Sequence, residues 1–116
     1  MIKVVITRNQ KGSIRSLDIK GHAGYAEAGH DIICAAVSVT AYTAAGALEE
    51  LAGLKGCYSE EDGHMIIKLP DRLAPEAESK ADIILETTAI GFKQIELSYS
   101  EYVMVVDREV QSHDKN

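Results

Sequence analysis

The sequence predicts a two-layer α+β domain in the order ββαββαβ, and three observations carry that reading. Short alternating apolar segments arrive in pairs with turn residues between them. Two long segments repeat their apolar residues every three or four positions. The strand pairs are separated by those helices instead of alternating with them singly, which favours a mostly antiparallel sheet with both helices packed on it over a doubly wound one.

The elements follow in chain order. Ile2 to Arg8 alternates and is rich in Val and Ile, so it forms the first strand. Asn9-Gln10-Lys11-Gly12 supplies turn chemistry, and Ile14, Leu17 and Ile19 give a second, less regular strand ending near Gly21, the two making a hairpin. From Ile32 to about Leu54, the residues Ile33, Val37, Ala41, Ala44, Leu48 and Leu51 recur at helical spacing. Asp31 suits the N-cap, and Gly53 with Gly56 the stop. Residues 57–60 and 65–69 flank Glu61-Asp62-Gly63-His64, in which Asp62-Gly63 is a hairpin dipeptide. Pro75 fits the first position of a second helix, with Ala77, Ala81, Ile84, Thr88, Gly91 and Ile95 along one face to about Tyr99. A helix-interior glycine costs about 1 kcal/mol against alanine, so Gly91 points to close packing on the Ala-rich first helix. Residues 102–107 form the last strand, and 111–116 are a polar tail.

The 116 residues make one domain, 1–116, with 46% apolar and 26% charged residues as in ordinary soluble proteins. There is no Trp and one Phe, so the core rests on Ile, Val, Leu and Ala. MIKVVITRNQ lacks the apolar run and cleavage site of a signal peptide, and no segment is read as approaching the roughly 20 apolar residues of a membrane span. The expectation is a cytoplasmic protein with no membrane partner. Cys34 and Cys57 are then expected as reduced thiols, and their spacing fits no CxxC pattern. A net charge of −6 argues against duplex nucleic acid as a direct partner and suits a basic protein. A short sheet leaves edges that a symmetric dimer would protect.

The chemistry concentrates in GHAGYAEAGHDIICAAVS, from Gly21 to Ser38. His22 ends a strand, and Cys34 falls in the first turn of the helix that follows Asp31. The positive end of a helix favours a thiolate over a thiol, and a nearby imidazolium from His22 would favour it further. The first-turn N–H groups, which the helix ladder itself does not use, suit a tetrahedral oxyanion. Ser38, one turn after Cys34, can donate to the thiolate or to substrate. Asp31 either caps the helix or orients His22. Gly24, Tyr25, Gly29 and His30 belong to a pliable loop able to close over a peptide, and Ile32, Ile33, Val37 and Tyr25 are candidates to line a side-chain pocket. Two other readings stand beside this one. Cys34 can be a small buried hydrophobe, and His22, His30, Asp31 and Cys34 can be zinc ligands, although they lack a paired-ligand signature. No metal and no cofactor is expected. Gly21, Gly24 and Gly29 do not space as a phosphate loop, and their plain reading is loop flexibility. Cys57 is read as core packing, His64 and His113 as solvated, and Glu49-Glu50 and Glu60-Glu61-Asp62 as surface charge.

The segment resembles the signature of the ribosomal-processing cysteine protease (Prp) family: Gly21-His22-Ala23, a glycine-containing loop, then Asp31-Ile32-Ile33-Cys34-Ala35-Ala36-Val37-Ser38. Length, the opening strand and the ββαββαβ order fit along essentially the whole chain. The resemblance implies a cytoplasmic, homodimeric cysteine endopeptidase. It would remove an N-terminal extension from a basic protein of the large ribosomal subunit, cutting after an aromatic residue. It places the catalytic histidine on His22, the nucleophile on Cys34 and supporting positions on Asp31 and Ser38, whereas a histidine at position 30 lies outside the pattern. The rival classes are a non-enzymatic ribosome-associated or assembly protein with a structural Cys34, and a thiol-dependent hydrolase or transferase acting on small molecules.

Overall fold

A computed structural model describes residues 1–21 and 32–110. The elements are β1 (Ile2–Arg8), β2 (Ile14–Lys20), α1 (Ile32–Ala52), β3 (Tyr58–Glu61), β4 (His64–Lys68), α2 (Pro75–Ser98) and β5 (Val103–Glu109). They form an α+β fold in the expected ββαββαβ order. The five strands make one sheet ordered β3-β4-β2-β1-β5. Every neighbouring pair is antiparallel except β1 with β5, which runs parallel. Both helices cover one face.

The strands obey the period-two rule with one departure that has a cause. Ile2, Val4 and Ile6 point into the core from β1, and Met65 and Ile67 from β4. In β2 the buried residues are Ile14, Leu17 and Ile19, so the first gap is three, not two. Thr7 pairs with Ser16 while Arg8 pairs with Ile14, which leaves Arg15 as the extra residue of a β-bulge. That bulge is why β2 reads as irregular. The bulge aims Arg15 at the start of α2, where its guanidinium donates to Glu78 at 3.1 Å and to the Pro70 carbonyl at 2.6 Å.

Turn chemistry also acts as its sequence demands. Asn9 Oδ1 accepts from the N–H groups of Lys11 and Ser13 at 2.9 and 3.0 Å, closing the β1–β2 turn. Asp62 and Gly63 both take positive φ, 50° and 76°, the requirement of a two-residue hairpin turn. Gly53, at φ 71°, ends α1, and the Leu54 N–H returns to the Leu48 carbonyl.

On α1 the buried residues are Ile33, Val37, Ala41, Ala44 and Leu48, all expected, but Leu51, next to the last residue of the helix, is 62% exposed. By length and composition α1 is apolar enough to cross a membrane, contrary to the sequence expectation, yet its larger apolar side chains on that stripe are packed on the sheet. On α2 the buried set is Ala81, Leu85, Thr88, Ala89 and Phe92. Of the expected stripe, Ala81 and Thr88 belong to that buried set, while Ile84 and Ile95 are only partly buried at the edge of the core, on the side where Gly91 meets α1. A methyl group added at Gly91 would lie 3.5 Å from Thr40 Cγ2 of α1, so the helices do approach closely there, at ordinary contact distance.

Candidate active site

One end of the sheet gathers the start of β1, the end of β2, the β3–β4 turn and the start of β5, since Lys20 pairs with both Lys3 and His64, and Ile2 pairs with Val103. Gly21 leaves β2 at this end with φ 98°. A Cβ on it would stand 2.5 Å from the Met1 carbonyl oxygen, closer than side-chain carbons approach backbone oxygen. Flexibility is therefore not its role. Only glycine turns the chain here against the first residue of β1, and the residue it delivers next is His22.

Cys34 is the third residue of α1, half-buried and packed against the core edge. The first turn of α1 carries no acidic side chain, so nothing within it opposes a negative thiolate. Ser38 follows one turn later and is also half-buried. His22, Gly24, Tyr25, Gly29, His30 and Asp31 lie outside the described residues, and with them the zinc reading. Among the described residues no group of three or more His, Cys, Asp or Glu is gathered to hold a metal ion.

Two expectations about neighbouring residues change. Ile33 and Val37 are 0% and 1% exposed, because they point into the sheet, so they do not line an open pocket. Ile32 instead faces outward at 58% exposure. His64 is not merely solvated, since its Nε2 lies 2.8 Å from Asp18 Oδ1 across β2 and β4 on the uncovered sheet face. That face also bears a polar depression lined by Lys3, Thr7, Ser16, Asp18, Lys20 and Arg108, on the opposite side of the sheet from Cys34. Cys57 packs against the core as expected, and burial pushes its thiol above the ordinary cysteine range.

The flank of α1 that carries Cys34 continues beyond the expected residues. Thr40 points to α2, whereas Cys34, Ser38 and Tyr42, at successive four-residue steps, run along the opposite flank toward β3. There the Tyr42 ring meets Tyr58 edge-on, centroids 5.9 Å apart and planes at 72°. Both phenols donate to one oxygen of Glu60, Tyr42 at 3.1 Å and Tyr58 at 2.6 Å. Burial and the Glu60 carboxylate hold the Tyr58 phenol well above its usual range, so it remains a donor. The four-residue row from Cys34 was visible in the sequence and leads to Tyr42. Nothing in the sequence pattern joins Glu60 to it.

The comparisons with known proteins agree along nearly the whole chain. The family described as cysteine protease Prp matches residues 1–104. The ribosomal processing cysteine protease Prp of Bacillus subtilis is 33% identical over 107 residues, spanning 90% of this chain and 96% of its own. The fold is similar to the crystal structure of an essential ribosomal processing protease Prp from S. aureus in complex with a covalently linked product peptide, with TM-score 0.83 and 30% identity over 93% of this chain and 100% of that one. It is also similar to that protease in complex with a substrate peptide, with TM-score 0.78 and 29% identity over 93% and 100% of the two chains.

Proposed function

This chain belongs to the Prp family and is a cysteine protease, and from that premise we propose that His22 and Cys34 are its catalytic dyad and a ribosomal protein its substrate. The observation that carries the assignment is the place of Cys34, at the positive end of α1 on the flank that faces away from α2. His22 takes the thiol proton, and the thiolate attacks the peptide carbonyl carbon. The resulting oxyanion develops against the first turn of α1. Collapse of that intermediate breaks the C–N bond, and the proton on His22 goes to the leaving amine. Water, deprotonated by the same imidazole, then cleaves the thioester and regenerates the thiol. Asp31 and Ser38 support the pair, and the loop containing Gly24, Tyr25, Gly29 and His30 closes over the peptide.

The substrate reading draws on the relatives, which are named for ribosomal processing, one of them seen with substrate and product peptides. We take the substrate to be a basic large-subunit protein with an N-terminal extension, cut after an aromatic residue, in the cytoplasm, by a homodimer. A non-enzymatic assembly protein with a structural Cys34 is not favoured by relatives that are proteases.

The test mixes the protein with an N-terminally extended ribosomal protein and locates the cut by mass spectrometry. Cys34→Ser and His22→Ala should each slow cleavage about 1,000-fold or more with the fold retained. In the native protein Cys34 should titrate below the ordinary thiol value of about 8.5 and alkylate well before Cys57. Equal, slow alkylation of both thiols would sink the nucleophile assignment. Activity surviving His22→Ala but not His30→Ala would move the base to His30.

A further inference from the structure

We propose that Glu60, held by the hydroxyls of Tyr42 and Tyr58, is a specificity subsite for a lysine or arginine side chain of the peptide, three or four residues from the cleaved bond. The proposal rests on the protease reading and adds where, at a distance from Cys34, charge is recognised.

The position follows from helix geometry. Tyr42 lies eight residues beyond Cys34 on one flank, about 12 Å along the axis at 1.5 Å per residue. An extended peptide lying along that flank with its cleaved bond at Cys34 covers this distance in about three to four residues. The chemistry follows from the hydrogen bonds. Both phenols use the same carboxylate oxygen, Glu60 Oε1, and among the described residues Oε2 accepts nothing. The carboxylate is thus held through one oxygen, on a residue that is itself exposed. Tyr42 is 47% exposed and presents an aromatic surface beside it, on which an aliphatic stem or a cationic head packs well.

Glu49 extends the same flank beyond Tyr42 and Ala45, near the C-terminal end of α1, and is exposed. A carboxylate there opposes the helix dipole, which favours cations at that end, so the helix gains nothing from it. The row from Cys34 therefore runs from a thiol through a hydroxyl and an aromatic ring to two carboxylates. That order suits a peptide that carries basic residues a short distance from its reactive bond. The competing role is mechanical, with the two phenols strapping edge strand β3 to α1.

The experiment separates the two roles and separates both from catalysis. Two peptides are compared, one carrying Lys and one Ala at each position three or four residues from the cut, on either side of it. With the native protein, the lysine peptide should show a kcat/KM about three- to tenfold higher, mostly through KM, at one of those positions. In Glu60→Gln and Tyr42→Phe that lysine-to-alanine ratio should fall toward one. In Glu60→Lys it should invert in favour of a peptide carrying Glu at that position. A mechanical strap predicts instead that every variant lowers both peptides by the same factor, and that result overturns the subsite. Binding of the labelled peptides to the Cys34→Ala protein is measured by fluorescence anisotropy in parallel. If no peptide is cleaved but binding still follows the Glu60 charge, the protease reading fails and what remains at Glu60 is a binding site for a basic side chain. If cleavage depends on Cys34 while binding ignores Glu60, the subsite fails alone.

Discussion

Gly21 shows how much of a site can hang on one absent methyl group. Its φ of 98° is strained for any other residue, and the Met1 carbonyl oxygen lies where its Cβ would go, at 2.5 Å. Gly12 provides an internal control, since its φ of 89° is similar but nothing lies within 4 Å of its would-be Cβ, and it sits in the β1–β2 turn at the far end of the sheet. Gly12→Ala should cost about 1 kcal/mol from backbone strain alone. Gly21→Ala should cost about 2–3 kcal/mol, because β1 must shift as well, and the folded fraction should cleave peptide at least tenfold more slowly as His22 is carried out of place. Thermal melts with cleavage assays on both variants check this, and equal effects would mean that close approach is not what Gly21 serves. The sequence marked the position, through Gly-His-Ala, but not the reason, because a glycine forced by a neighbour 20 residues away looks the same as one in a flexible loop. Cys34 and Ser38 were legible because helix spacing is local. Glu60 was not, because its relation to Tyr42 exists only across the helix–sheet gap.

The elements were read well where their signals are local and less well where packing decides. Asp62-Gly63, Pro75 and Gly53 all act where sequence places them. The bulge at Arg15 appeared only as irregularity, and the face of α2 was read toward α1 because that helix has two adjacent buried sides, one on the sheet and one on its neighbour. Strand order depends on pairings across the chain, and the apolar pattern of β1 does not say that β5 will lie parallel beside it. That pairing is reinforced by a charge cluster at the end of the sheet away from Cys34. Arg8 of β1 grips Asp107 of β5 with two bonds, Nε at 2.7 Å and Nη2 at 3.0 Å, and also reaches Glu86 of α2, while Lys93 of α2 donates to Asp107 at 2.8 Å. The guanidinium above all, helped by Lys93, lowers the Asp107 carboxyl from 3.8 to about 2. A depressed carboxyl stabilises the fold above its unfolded value and loses that contribution as pH falls through its folded one. Asp107→Asn should therefore lower stability by about 1 kcal/mol at pH 6, modest because the cluster is partly solvated. The gap from the native protein should close between about pH 4 and pH 2. Denaturant melts across that range test it, and a gap unchanged down to pH 2 would remove Asp107 from the account.

At the scale of the molecule, each edge of the sheet carries some protection of its own. The N–H of Val105 in edge strand β5 donates to Glu96 Oε2 of α2 at 2.9 Å, and the opposite edge, β3, is four residues long with two glutamates. Among the described residues, large apolar side chains stand exposed on the outer side of the helix layer. Ile83, Ile90 and Leu97 stand seven residues apart along α2, exposed by 70%, 60% and 75%. On α1, Ile32 and Val39 repeat the same spacing at 58% and 61% exposure. Apolar side chains at heptad spacing on two adjacent helices form a seam of the kind that helices bury against a copy of themselves. A homodimer built this way would pair helix layers and leave both sheet faces in solvent. Ile32 lies two residues before Cys34, so the seam would reach the start of α1 and brace the turn that holds Cys34. Ile90→Asp and Leu97→Asp should then convert a dimer into a folded monomer, seen by light scattering on a sizing column with circular dichroism unchanged. Cleavage per chain should fall with dissociation, in the variants and on dilution of the native protein. A native protein that is monomeric at 100 μM, or variants that remain dimers, would rule out the helix seam; monomeric variants with full activity would keep the seam and show that Cys34 does not depend on it.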